Sequence, residues 1–331
     1  MHTFCRVARH FMNLTRNKLV IFCLTILIGL GTITRFADAQ TGSHLDLDFH
    51  QVPSTHLSFF AKNFWVEVLT DIELSSVPSS DLDPLLLKSP RGTPIKPETA
   101  KSAQMTINTI IDPRFRSPVN IYNSIWFNPT DASALGRVRL RRGEDDFKKM
   151  YRFTEEGVFR HQIEPKDNKE ASLEPEKWSD IKDSFYPYDL THMGCIGISE
   201  PSLLIYILSA AAISKSNESF FLCVFGKRQL HHVRLQKLGI SILDVNYIEE
   251  NQQTKVRKQA RIKTLKFTIT AEPLESELNK EENFSFLGFH KDIIVYIEPA
   301  TGIPVQASGI ISTVGKAELK LKQIILNPAS D

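Results

Sequence analysis

Period-two alternation runs through most of this chain and constrains its fold more than any other feature. In "NFWVEVLTDIEL" (Asn63 to Leu74), Phe64, Val66, Val68, Ile72 and Leu74 share one side, while Glu67, Asp71 and Glu73 take the other. "QMTINTII" (Gln104 to Ile111) follows the pattern less cleanly, and "RVRLR" (Arg137 to Arg141) follows it fully. "KTLKFTITAE" (Lys263 to Glu272) sets Leu265, Phe267, Ile269 and Ala271 on one face. Successive side chains of a strand point to opposite faces, so these runs predict strands covered on one side and wet on the other. "DDFKKMYRFTEEGVFRHQIEP" (Asp145 to Pro165) predicts a hairpin turning at Glu155 to Gly157. "YIEPATGIPVQASGIISTVGKAELKLKQI" (Tyr296 to Ile324) predicts three strands, with Pro304 at an edge or a bulge. Its last strand should send Ala317, Leu319 and Leu321 inward and Lys316, Glu318, Lys320 and Lys322 to water. The expectation is a mainly β protein, an antiparallel meander forming a curved open barrel or half-barrel.

One segment breaks the period. "SEPSLLIYILSAAAIS" (Ser199 to Ser214) is apolar on nearly every side. A helix apolar all round is buried, and this one is short of the roughly 20 residues that cross a bilayer. Ser199 is the expected cap and Pro201 suits the first turn, where its missing N–H is harmless. The helix is predicted to plug the open side of the sheet. "SFFLCVF" (Ser219 to Phe225) is apolar on both faces, so both must be covered. Phe220, Leu222 and Val224, with Leu204, Ile207 and Leu208 of the helix, are the candidate lining of an apolar ligand site, because apolar barrel interiors hold acyl chains. The same side chains can equally fill the core.

The N-terminus reads as an export signal. Arg6, Arg9, Arg16 and Lys18 precede the apolar run "LVIFCLTILIGLGTIT", and Ala37 and Ala39 form an A-x-A cleavage pattern. Residues 1–39 are assigned to a signal peptide cut after Ala39, which places the rest in the periplasm as one β-rich domain, 40–331. The alternative is an uncut membrane anchor. The full chain carries a net charge of +2, and the leader holds five bases and one acid, so the mature chain is at −2. That balance gives no electrostatic case for nucleic acid. Only Cys195 and Cys223 remain after cleavage. In an oxidising compartment they can form a disulfide, or stay as two buried thiols.

Few residues suggest chemistry. "GISEP" (Gly197 to Pro201) has a serine in a nucleophile-turn setting, but proline replaces the last glycine and no strand–helix alternation surrounds it. His231 and His232 are adjacent and should point to opposite faces of a strand, which does not suit one metal. His56, His161, His192 and His290 have no partner in sequence, and Asp145–Asp146 and Glu249–Glu250 sit in polar turns. No cofactor or metal is expected. The basic stretch "RVRLRRGEDDFKK" (Arg137 to Lys149) is expected to form two solvated strand faces around a turn, with a phosphate or lipid headgroup site as the alternative. Three connections read as loops: the Pro/Ser-rich 75–103, and the polar segments 164–180 and 272–283.

Several short stretches carry a family resemblance. "GVFRHQIEP", "WSDIKDSFYPYDL" with "SLLIYILSAA", and "VYIEPATGIPVQASG" with "GKAELKL" resemble an uncharacterised exported bacterial family, domain-of-unknown-function family 3108. Tyr186, Pro187 and Asp189 fill its pre-helix pattern, and Glu298, Gly302, Ile303, Pro304 and Val305 fill its turn-and-strand pattern. The resemblance covers roughly residues 122–325. It implies an all-β periplasmic fold similar to the curved open barrels of lipoprotein carriers, with no catalytic residues. The resulting expectation is a non-catalytic envelope protein that binds a lipid, an acyl chain or an envelope partner. A loop-mediated interaction scaffold and a periplasmic enzyme are the alternatives.

Overall fold

Among the described residues, fifteen strands follow one another across a single sheet nearly in chain order. The computed structural model describes Val52, residues 55–188, Cys195 and residues 197–214, 219–274, 284–312 and 315–326. The expected signal peptide, His192 and most of the third polar loop lie outside these residues. The first meander runs through β1 (Thr55–Lys62), β2 (Val66–Pro78), β3 (Lys101–Pro113) and β4 (Val119–Phe127). It continues through β5 (Ala134–Arg142), β6 (Phe147–Phe153), β7 (Gly157–Glu164) and β8 (Asp180–Pro187). The second contains β9 (Ile198–Ser199), β10 (Ser219–Phe225), β11 (Leu230–Glu250) and β12 (Lys255–Pro273). It ends with β13 (Lys291–Glu298), β14 (Ile303–Ile311) and β15 (Gly315–Leu326). The meanders join where β1 pairs with β15, from Thr55 opposite Leu326 to Phe60 opposite Lys320. The fold is therefore mainly β and antiparallel, with one buried helix, α2 (Leu204–Ile213). The short α1 (Asn168–Ala171) sits exposed in the first polar connection, capped by the Asp167 carboxylate.

Alternation accounts for the core. Leu57 and Phe59 of β1, Ile72 of β2, Met105 and Ile107 of β3, and Leu319 and Leu321 of β15 all point into one apolar cluster. Every residue of α2 from Leu204 to Ala212 is buried in it. The Ser209 hydroxyl is satisfied within the helix, donating to the Ile205 carbonyl at 2.9 Å. The start of this helix differs from expectation. Ser199 does not cap it; it belongs to β9, pairing parallel with Val224 of β10, and its hydroxyl is buried without a hydrogen-bond partner among the described residues. Glu200 is the cap, its carboxylate accepting from Ser202 N at 2.7 Å, and a 3₁₀ turn at Pro201–Leu203 leads into α2. A longer acidic side chain reaches the same free N–H groups that a serine would serve.

The Pro/Ser-rich segment is shorter as a loop than expected. Ser75–Pro78 complete β2 and Lys101–Ala103 begin β3, so only 79–100 leaves the sheet. The loop is also tied down. Leu82 and Leu86 pack with Trp126 and Leu135 on the outer face of β4 and β5, and Thr93 N donates to Glu156 Oε2 at 2.6 Å. Leucines spaced four apart in a turn-rich segment supply an apolar edge that sequence polarity hides.

The β11–β12 hairpin changes which face it buries. Near β13, the odd positions Leu265, Phe267 and Ile269 of β12 face the core. Further out, Lys263, Arg261 and Gln259 are exposed and even-numbered Ile262 packs inward, opposite Leu243. A register shift between Lys237 and Gly239 lets β11 follow, with Gly239 at φ +115°. Such a bulge twists a ribbon and re-aims its side chains. The tip then pairs parallel with β15, Ile248 opposite Gln323 and Glu250 opposite Ile325, beyond the point where β14 leaves that edge at Gln306. Pro304 lies just past this departure, beside a register shift at Tyr296/Ile297. The pairings β11–β12–β13–β14–β15–β11 thus close on themselves, while the β1–β8 meander stays open.

Candidate functional site

The inside of the curved sheet is the natural place for a ligand, and most of it is filled by α2. Leu204, Ile207 and Leu208 are completely buried, and Phe220, Leu222 and Val224 join them in the core cluster. Tyr206 packs edge-on to Phe127 with ring centroids 5.1 Å apart. On the other side of the helix a void of about 30 Å³ remains, between Ile205, Leu57, Ile72 and Met105. That is room for about one water. All six residues expected to line an apolar ligand are therefore packed core side chains.

A cleft of about 780 Å³ lies between the β1–β2 turn and the β14–β15 end. Its apolar lining comes from Ala61, Val66 and Val68 on one side and Ile311, Ala317, Leu319 and Leu321 on the other, with Leu287 beside them. Its polar lining comes from Lys62 and Asn63 and from the water-facing side of β15, Lys316, Glu318, Lys320 and Lys322, with Asn246 beside them. These positions follow from strand parity: Ala61 stands opposite Val68, and Ala317 and Leu319 are the inward residues of β15. The volume falls within the range of small-molecule sites. Sequence reasoning missed the cleft because its residues come from both ends of the chain. A larger opening of about 1390 Å³ along β12–β14 has Pro273 and Phe284 in its wall, on either side of residues 275–283, which lie outside the described residues.

Beside the cleft is an exposed aromatic tip. Phe64 was expected on the covered side of a strand, but β2 begins at Val66, and the hairpin turn leaves Phe64 and Trp65 66% and 61% exposed. Phe115, from the β3–β4 turn, is 74% exposed and lies 6.0 Å from Trp65 between ring centroids. Asn63 Oδ1 accepts from Trp65 N and Val66 N, and Arg114 N donates to the Trp65 carbonyl, so the two turns are joined.

The remaining polar candidates are spread over the sheet and its turns. Cys195 and Cys223 form a disulfide with Cα atoms 5.7 Å apart, tying the segment before β9 to β10. His231 is buried beside Phe284, and the next residue, His232, stacks on Phe221. Burial holds the His231 imidazole below its ordinary pKa. His161 pairs with Asp183 at 2.6 Å, His56 lies 3.5 Å from Asp71, and His290 contacts the Phe284 carbonyl. Asp146 accepts from Gly143 N in its turn, and Glu250 pairs with Lys255 at 2.7 Å. Among the described residues, no three His, Cys, Asp or Glu side chains gather in a way that could hold a metal ion. None of the described helices is long and apolar enough to cross a membrane.

No family model matches the chain. No curated protein matches it either. Among solved structures, the chain is similar to a β-barrel-like protein of domain-of-unknown-function family 1849 from Brucella abortus. The identity is 6%, the match covers 84% of this chain and 98% of the other, and the TM-score is 0.45.

Proposed function

We propose that the protein is a non-catalytic binding protein of the cell envelope, exported to the periplasm, that holds an acyl chain in the mouth of its barrel. The observation that supports this is the apolar cleft, which stays open although α2 fills the rest of the interior. The N-terminal export-signal pattern supports the compartment, and the resemblance to family 3108 supports a carrier-like role. The test is binding of a fluorescent fatty acid to the delipidated mature chain, compared with Ala317→Trp, whose indole would occupy the cleft. Binding that Ala317→Trp strongly reduces supports the reading. No binding, or equal binding by the variant, overturns it.

A second reading, capture of an envelope partner, is favoured by the aromatic tip rather than by the Pro/Ser-rich loop. Phe64, Trp65 and Phe115 form an exposed apolar patch on joined turns, whereas the 79–100 loop is pinned to the outer sheet face. Trp65→Ser should abolish partner pull-down without changing acyl-chain binding.

A further inference from the structure

The inward face of β5 carries its arginines. Arg137 stands opposite Ile125 and Tyr151, both core residues, so Arg137, Arg139 and Arg141 point to the inside of the sheet. Val138 points the other way, against the outer cluster of Leu82 and Leu86. The next strands extend the basic face, with Lys149 opposite Arg139 and Arg160 opposite Tyr151. Aromatic rings separate the cations: Arg137 lies 3.9 Å from the Tyr151 centroid, Lys149 Nζ 3.7 Å from Phe147, and Arg160 5.3 Å from Tyr186.

Counter-charges on this face are few. Glu200 pairs with Arg137 at 2.7 Å, and Glu164 and Asp180 both pair with Lys182 at the sheet edge. Among the described residues, no carboxylate comes within ion-pair distance of Arg139, Arg141, Lys149 or Arg160. The Nε groups of Arg137, Arg139, Arg141 and Arg160 are buried with no acceptor among these residues. Arg160 does donate to Ser184 Oγ at 3.1 Å, but the outward face of the same strands is more fully partnered. There Lys148 pairs with Glu176 at 2.6 Å, Arg152 donates to the Leu135 carbonyl at 2.8 Å and Arg142 to the Leu173 carbonyl at 2.9 Å. Half-buried like charges repel and lose hydration, so a cluster of this kind opposes folding unless something neutralises it. Local violations of the apolar-inside rule concentrate at functional sites.

We propose that this inner face is a binding site for a phosphate-bearing ligand, with Arg139, Arg141 and Arg160 as guanidinium donors and Lys149 as a point charge. Guanidinium forks match phosphate oxygens two at a time, and an ammonium adds charge without that directionality. The phosphate arrives either on the head of an amphiphile or on a small soluble molecule. The site shares none of the lining of the mouth cleft and does not depend on acyl-chain binding there.

The test uses the mature chain with three probes: inorganic pyrophosphate, a short-chain phosphatidic acid below its micelle concentration, and an uncharged monoacylglycerol. At least phosphatidic acid should raise the thermal midpoint and bind in calorimetry, with affinity falling as salt rises, and the uncharged monoacylglycerol should not distinguish the parent from the inner-face variants. Arg139→Met and Arg160→Met should each bind the anions about tenfold more weakly or worse. Their unliganded midpoints should equal or exceed the parent's, since a repelled cation is gone; this separates a lost site from a lost fold. Arg142→Met, on the outer face, should bind as the parent does. Equal effects of both anions identify a soluble phosphate compound, and an effect of phosphatidic acid alone identifies a lipid head. Failure of both anions to bind, or unchanged affinity in both inner-face variants, overturns the proposal. Acyl-chain binding that persists in those variants leaves the mouth cleft standing, so the two readings fail separately.

Discussion

Arg137 and Glu200 are the most deeply buried opposite charges in the described ion pairs, with side chains 7% and 5% exposed. Glu200 carries two duties, holding Arg137 and capping the turn before α2. Removing one partner of a buried pair strands the other, which typically costs about 3–5 kcal/mol. Glu200→Ala should therefore lower unfolding free energy by about that amount in urea titrations, and adding Arg137→Met should recover a large part of it. Lys149 gives a pH signature. Burial first, then Arg139 and Arg160, with Lys227 adding, hold its ammonium down to about 8 from 10.5, while Glu164 opposes them. Between those values the unfolded chain holds a proton that the folded chain has released, so stability rises with pH across that window. Below about 8 the folded chain bears the whole penalty. Lys149→Met should flatten this rise in urea midpoints measured from pH 7.5 to 10. The sequence shows "RVRLR" as two-faced but does not say which face turns inward. The usual assumption that apolar side chains go in fails here, because the loop leucines Leu82 and Leu86 cover Val138 from outside.

At the scale of elements, α2 and the turn against it are the critical contact. Leu208 is fully buried in the helix, and Leu208→Ala should lower stability by about 2–5 kcal/mol, read by chemical denaturation. Gly302 has φ +69°, and a Cβ there would sit 2.5 Å from Ile213 Cδ1 at the end of α2. Gly302→Ala adds a strained backbone to this clash, so it should lower the thermal midpoint and loosen α2, seen as faster amide exchange in residues 204–213. The helix and most strands were legible in the sequence because both periods are strong there. The true cap was not, since Glu200 acts through a side chain whose reach depends on the parallel β9–β10 pairing. The face change in β11–β12 was also hidden. It needs a bulge at Leu238, and Gly239 alone does not mark which side the ribbon will bury.

At the scale of the molecule, a disulfide ties the segment leading into the second meander to β10. The cysteines are 28 residues apart, and a loop of that size gives a disulfide worth about 2–4 kcal/mol. Cys223→Ser should lose about that much, and reductant should bring the parent down to the variant's urea midpoint. The meander could be read from the alternation, but the meeting of its two ends could not. Neither Thr55–Lys62 nor Gly315–Leu326 announces the other, and the cleft they frame was invisible for the same reason. This pairing also sets a schedule. A chain made from its N-terminus holds β1 with one edge unpartnered until β15, the last of the described strands, emerges. Through the synthesis of the whole second meander, the first eight strands present a free edge that can pair with another chain, a hazard that only the arrival of β15 removes.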